Sequence, residues 1–276
     1  MNHVAKFGVS QGRLVLPENG ELQCFPQSNW QKEFEIAGRV GLDFIELLVE
    51  RQPNKSNPFW SQDGRKSIRQ AGLENGVEIY SCCFDYVIDH DLANQNKTYK
   101  VELIDFFKAC EDLSIPLIVL PLLERSDLTK ETYKQYVPLI QEIADRFLSK
   151  ATNLCIESLL PAPDLLAFLE LVDRKNVSCV YDSGNRIAHG ADLESEILLL
   201  NDWIKHFHIK DKNALGENVI LGTGLVDFRS VFGALRDIDY RGRFNFETTR
   251  GQIAEKTMAY HYYLSKFFFE ESYLED

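Results

Sequence analysis

No stretch of this 276-residue sequence is long or apolar enough to suggest a membrane span. The longest run free of charged and strongly polar side chains, Ile115 to Leu123, has nine residues and includes two prolines, whereas a bilayer crossing takes roughly 20. A basic surplus is also missing. Lys and Arg number 30 against 42 Asp and Glu, the net charge is −12, and the acidic residues are spread along the chain. Binding to nucleic acid or to an anionic membrane surface is therefore not expected, because both depend on excess positive charge. The start, Met1-Asn2-His3-Val4-Ala5-Lys6, has neither a basic segment before an apolar core nor a small-residue cleavage site, so secretion is not expected. No CxxC pair occurs, which argues against a finger-type zinc site. The six cysteines, Cys24, Cys82, Cys83, Cys110, Cys155 and Cys179, have an ordinary density and read as reduced thiols of a cytoplasmic protein. No Gly/Ser/Pro linker divides the chain, so residues 1–276 are expected to form one domain. What is present, 45% hydrophobic, 12% aromatic and 26% charged residues, suits a globular protein with one large core and excludes disorder.

Short β-rich runs recur with helical patterns between them. The strand candidates are Lys6 to Ser10, Phe44 to Val49, Glu78 to Cys83, Pro116 to Leu122, Asn153 to Leu159, Val177 to Asp182, Ile204 to Lys210 and Arg243 to Thr248. Amphipathic helical patterns follow them, among them Trp30 to Gly41, Tyr99 to Leu113, Tyr133 to Leu148, Asp164 to Val172, Phe228 to Ile238 and Ala254 to Phe269. Asp227 is a candidate N-cap, and Gly41, Gly72 and Gly76 fall near helix ends. Eight β-then-α units with strand starts about 34 residues apart fit a (β/α)8 TIM barrel of about 250 residues, an α/β fold, better than an open doubly wound sheet.

Strand parity then locates the chemistry. In a parallel barrel one side-chain phase packs under the helices, and inward polar residues at strand C-termini point into the pocket. Leu154 and Ile156 alternate with Cys155 and Glu157, Phe207 and Ile209 with His206 and His208, and Phe244 and Phe246 with Asn245 and Glu247. The apolar phase must face the helices, which turns Glu157, His208 and Glu247 to the barrel mouth, and Asp182 ends the sixth strand at the same level. Each has a plainer role available: Asp182 before Ser183-Gly184 suits a turn cap, the glutamates suit solvated strand ends, and His208 suits a core hydrogen bond. These roles give no reason for four consecutive strands to converge. Three carboxylates crowded beside a histidine call for a cation, and the oxygen and imidazole ligand set without thiolate suits one divalent ion, Mn, Mg, Co or Zn.

With Cys155-Ile156-Glu157, Tyr181-Asp182-Ser183-Gly184-Asn185, His206-Phe207-His208-Ile209-Lys210-Asp211, Gly222-Thr223-Gly224-Leu225-Val226-Asp227-Phe228 and Phe246-Glu247 in that order, the chain resembles the xylose isomerase-like TIM barrels. That superfamily holds sugar and sugar-phosphate isomerases and epimerases and, more distantly, endonuclease IV, and the resemblance covers essentially the whole chain. It implies that Glu157, Asp182, His208 and Glu247 hold the divalent ion. It also implies that Glu157 and Glu247 face each other across a ketose and move the proton next to its carbonyl, through a metal-stabilised enediolate. Two positions depart from the ketose 3-epimerase pattern: Asn185 stands in place of a substrate-contacting histidine, and Ala214 in place of an arginine, with Lys210 and Lys212 the nearest cations. A free ketose, a sugar phosphate, a hydroxypyruvate-type isomerisation and a keto-inositol (inosose-type) dehydration stay open. A non-catalytic carbohydrate-binding barrel is the alternative of another class, against which the two intact glutamates argue. Endonuclease IV-like DNA repair is not expected, because the third strand ends Cys82-Cys83-Phe84-Asp85-Tyr86 without the additional histidine that family needs.

Further substrate-binding candidates are Asn185, Lys210, Arg13, Glu46, Asp85, Tyr86 and Arg250, with Glu124 at the end of the fourth strand. Arg250 lies just before the last helix, where phosphate often binds in barrels. His206 shares the inward phase but lies deeper, and reads as a hydrogen-bonding support for the ligands. His90 and His189 fall in predicted loops. The aromatic series from Tyr260 to Phe269 fits either a homodimer contact or a cover for the barrel edge.

Overall fold

Runs such as Phe44-Ile45-Glu46-Leu47-Leu48-Val49 and Val177-Ser178-Cys179-Val180-Tyr181 favour extended backbone because β-branched and aromatic side chains fit a pleated surface. In the computed structural model, which describes residues 4–16, 20–52, 54–90, 92, 99–146 and 151–274, these runs are eight parallel strands. They are β1 (Phe7–Ser10), β2 (Phe44–Val49), β3 (Glu78–Phe84), β4 (Leu117–Pro121), β5 (Asn153–Glu157), β6 (Val177–Asp182), β7 (Ile204–Ile209) and β8 (Arg243–Phe246). They pair in chain order, and β1 pairs with β8 to close the barrel.

The described helices are α1 (Trp30–Val40), α2 (Gln62–Asn75), α3 (Tyr99–Asp112), α4 (Tyr133–Arg146), α5 (Ala162–Val172), α6 (Ser183–Ala188), α7 (Leu193–Leu200), α8 (Phe228–Asp237) and α9 (Ala254–Leu274). Phe147 and Leu148, the expected end of α4, lie outside the described residues. Two short helices, α6 and α7, fill the β6–β7 connection where one was expected. The Asp227 carboxylate accepts from Ser230 N at 3.2 Å and caps α8. Gly41 and Gly76 end α1 and α2 at positive φ, 92° and 65°, which costs other residues steric strain. Gly72 instead sits in the last turn of α2, where a Cβ would press on Val77 O.

Parity holds as the alternation predicts. Leu154, Ile156, Phe207, Ile209, Phe244 and Phe246 join the large core beneath the helices, where Phe7 stacks on Phe244 at 5.2 Å and on Phe246 at 5.8 Å. Burying each such ring contributes about 1.5–3 kcal/mol. Inside the barrel, Leu48, Cys83, Leu117, Val119, Cys155 and Val180 form a small apolar cluster. The other half of the interior is polar, built from Ser10, Glu46, Ser81, His206 and Asn245, all buried. Of the C-terminal aromatics, Phe269 is core, whereas Tyr260, Tyr263 and Phe267 are exposed on α9.

Candidate metal centre and active site

Register brings the candidate residues to one level. Asp182 lies opposite His208 across β6 and β7, and Ile209 opposite Phe246 across β7 and β8. The backbone N–H of Glu247 donates to Ile209 O at 3.2 Å and carries the β8 ladder one residue beyond the strand. Glu157, Asp182, His208 and Glu247 each present one ligand atom within 4.8 Å of the others. His208 Nδ1 is 3.1 Å from Glu247 Oε2, 3.9 Å from Asp182 Oδ2 and 4.0 Å from Glu157 Oε2.

Asp182 performs both roles its sequence context allowed. Its Oδ1 accepts the backbone N–H of Asn185 at 2.6 Å and caps α6, while its Oδ2 faces the cluster, buried and without a hydrogen-bond partner. A buried carboxylate oxygen beside an imidazole nitrogen and two glutamates is a donor set that fits a divalent cation. The Lys210 ammonium stands 2.8 Å from this oxygen and 2.7 Å from Glu247 Oε2 and pairs with both carboxylates. Burial lowers the Lys210 pKa, but the Asp182 and Glu247 charges outweigh it and the net shift is upward.

The two glutamates sit in opposed environments. Burial and the neighbouring Glu247 and Asp182 charges push Glu157 up to about 8 against the opposing pull of His208. Burial also works against ionisation of Glu247, yet Lys210 and His208 hold it well below the usual carboxylate range. Asn185 Nδ2 donates to Glu157 Oε1 at 3.0 Å, so this residue lines the cavity and orients a cluster carboxylate. Arg13 is buried, and its guanidinium donates to Glu247 Oε1 at 3.1 Å, to Thr248 O at 3.4 Å and to Gln23 Oε1.

Glu46 forms the cavity floor. Its carboxylate accepts from Ser81 Oγ at 2.8 Å, Asn245 Nδ2 at 3.0 Å and Ser10 Oγ at 3.3 Å. It also stands 3.0 Å from His206 Nε2 and 3.2 Å from His208 Nε2. Burial disfavours its charge, but the two histidines prevail and keep it ionised. His206 thus supports His208 through Glu46, one step further out than a direct bond to a ligand. Burial lowers the pKa of His206. His208 is raised well above its ordinary value because Glu46 and Glu247 overcome burial.

A cavity of about 310 Å³ opens above the cluster, and a cleft of about 480 Å³ adjoins it, the two sharing Gln23, Arg51 and Asp85 in their walls. Asp85 lines both; burial pushes it up to about 6, and it accepts from Cys83 Sγ at 3.2 Å. Glu124 reaches the rim, paired with Arg51. Two expected residues turn elsewhere. Tyr86 stacks between Phe84 at 5.5 Å and His90 at 3.9 Å, and Arg250 donates to Gly12 O and Leu22 O, both at 2.6 Å. His189 is exposed, and its Nδ1 meets Asn185 O of its own turn at 2.8 Å. Gln23 and Asn218 also line the cavity; both lie in loops, and no pattern in the sequence marks them.

Carboxylates and a histidine converging at the C-terminal ends of consecutive barrel strands define a barrel enzyme site with a metal-competent cluster. Residues 34–264 match the family described as xylose isomerase-like TIM barrel, and the chain belongs to that family. It is 23% identical over 240 residues to a putative L-ribulose-5-phosphate 3-epimerase of Haemophilus influenzae, covering 79% of this chain and 83% of the relative. It is 22% identical over 232 residues to an L-ribulose-5-phosphate 3-epimerase of Escherichia coli, covering 79% and 81%. Among solved structures, D-psicose 3-epimerase from Clostridium cellulolyticum with D-tagatose superposes with a TM-score of 0.77 at 16% identity, covering 96% of this chain and 99% of that one. An L-ribulose 3-epimerase gives 0.76 at 17%, covering 98% and 96%. These structures share the fold.

Proposed function

We propose that the protein is a divalent-metal-dependent sugar or sugar-phosphate epimerase that moves a proton next to a ketose carbonyl. The observation that carries this reading is the convergence of Glu157, Asp182, His208 and Glu247 on one point at the ends of four consecutive strands. The epimerase relatives support it. Glu157, Asp182, His208 and Glu247 would hold the ion, whose charge polarises a carbonyl and acidifies the adjacent C–H.

The chain's own groups do the rest. Glu157 and Glu247 are the catalytic pair, one taking the proton and the other returning it to the opposite face. Their surroundings drive their proton affinities apart, as an acid–base pair requires. Arg13 and Asn185 each hold one of these carboxylates in place through a side-chain hydrogen bond. Lys210 offers the cluster a second positive charge, and the cavity above it accommodates a sugar-sized molecule. Six unpaired, buried cysteines support action in a reducing, cytoplasmic setting. The exposed Tyr260, Tyr263 and Phe267 of α9 support a homodimer, which sedimentation velocity tests directly.

The deciding experiment is incubation of metal-loaded protein with pooled ketoses and ketose phosphates in D₂O, read by mass spectrometry. Metal-dependent deuterium uptake at carbon-bound positions is expected. Water loss without exchange would favour dehydration, and no reaction across the panel would sink the epimerase reading.

A further inference from the structure

Four Lys and Arg side chains line the cavity, and three are already matched by carboxylates. Arg13 pairs with Glu247, Lys210 with Asp182 and Glu247, and Arg51 with Asp89 and Glu124. Lys212 lines the same cavity, is only partly exposed, and has no ion pair or side-chain hydrogen bond among the described residues. Beside it, across an isolated antiparallel bridge, stands Asn218, whose amide oxygen is buried and also without a partner. Rotating that amide by 180° exchanges oxygen for the Nδ2 donor at the same place. Lys212 therefore presents an unused donor, and the neighbouring Asn218 amide can turn a second one to the same side.

Their placement is fixed by the local chain. Asn213 N donates to Glu217 O, and the Asn213 side chain accepts from Leu215 N and Glu217 N, which closes the hairpin between Lys212 and Asn218. Below it, the buried Asp211 carboxylate accepts from Gly222 N at 3.0 Å, Gly224 N at 2.8 Å and Val226 N at 3.1 Å. A Cβ on Gly224 would collide with that carboxylate and with Lys212 O. The loop is thus built to hold a free cation over the cleft. Burial, and Lys210 beside it, lower the Lys212 ammonium from its ordinary value, a penalty that a bound anion would relieve.

We propose that Lys212 and Asn218 form an anion subsite that receives the phosphate of a phosphorylated ketose and sets the preference for it over the free sugar. This rests on the epimerase reading for the sugar and on the unpaired donors for the anion.

The test compares ketopentoses and ketohexoses in three forms: free, as terminal phosphate monoesters, and as the matching keto-sugar acids. Metal-loaded protein is assayed by deuterium uptake, and binding of inorganic phosphate is measured separately by calorimetry. The phosphorylated form should be preferred in kcat/KM by at least about tenfold, as a charge-assisted contact allows. K212M should reduce that preference at least about tenfold through KM, weaken inorganic phosphate by a similar factor, and be largely rescued in K212R. N218A should weaken both by a smaller factor. Equal loss on free and phosphorylated sugars, unchanged phosphate binding in K212M, or preference for the sugar acid would overturn the assignment. Should no sugar exchange while phosphate binds and is lost in K212M, the subsite stands and the epimerase reading fails. Exchange confined to free sugars, with no phosphate binding, has the opposite meaning.

Discussion

Glu157 and Glu247 offer the same carboxyl group to one small space, and their difference comes entirely from their neighbours. Glu157 has burial and two negative charges around it, whereas Glu247 has Lys210, His208 and Arg13. Replacing either by Gln keeps the shape and the hydrogen-bonding oxygen but removes proton transfer, so E157Q and E247Q should each lower deuterium exchange by about two to four orders of magnitude. Exchange within tenfold of the parent in either variant would remove that residue from the catalytic pair. His208 is read differently, as a ligand. Losing even an outer hydrogen-bond partner of a metal ligand costs roughly 10–100-fold in affinity, so H208A should bind metal at least about 100-fold more weakly in a titration followed by elemental analysis. Metal affinity equal to that of the parent would take His208 out of the ligand set.

At the scale of elements, what could be read in advance follows the range of the interaction that decides it. Glu157, His208 and Glu247 were legible because strand parity is local: once Phe244 and Phe246 go under the helices, the face of Asn245 is fixed and Glu247 follows it. Arg250 and Tyr86 were not, because loop side chains answer to distant segments, here the Gly12 and Leu22 carbonyls and the rings of Phe84 and His90. Gln23 reaches the site only because the first βα loop folds back over the mouth, and the polar half of the barrel interior around Glu46 depends on five strands meeting. The β7–α8 loop shows the intermediate case. Its Gly222-Thr223-Gly224 motif is visible in sequence, but the three N–H groups gathered by Asp211 are a property of the folded loop. D211A strands those donors, at about 1–3 kcal/mol for a buried one, and should lower unfolding free energy in urea by about 3 kcal/mol while speeding amide exchange over residues 213–226. A loss below about 0.5 kcal/mol would show that the loop is held by other contacts.

For the whole molecule the decisive event is closure, the meeting of the first and last βα units. β1 pairs with β8, Arg250 reaches Gly12 O, and Arg13 reaches Thr248 O. Beneath this junction lies Glu33 of α1, fully buried, its carboxylate accepting from Gly12 N at 2.8 and 2.9 Å and from Leu14 N at 3.0 Å. Burial pushes Glu33 up from 4.5 to about 7, with those N–H groups, Arg250 and Arg13 opposing. Between these two values the unfolded chain has released this proton and the folded chain still holds it. The folded state then binds more protons, so the Glu33 contribution is fully present below about pH 4.5 and is lost as pH rises through about 7. Over that window it amounts to about 3 kcal/mol. E33Q cannot ionise; its amide oxygen still accepts from the loop, at a pH-independent cost of about 1 kcal/mol for the imperfect match. The stability of the parent relative to E33Q should therefore fall steadily in urea titrations run from pH 4.5 to 7.5, with E33Q gaining on the parent, overtaking it at about pH 5 and leading by about 2 kcal/mol near neutrality. Parallel pH profiles for the two proteins would mean that Glu33 is already ionised in the folded barrel, held by the Gly12 and Leu14 N–H groups and the two arginines, and that closure of the barrel carries no proton.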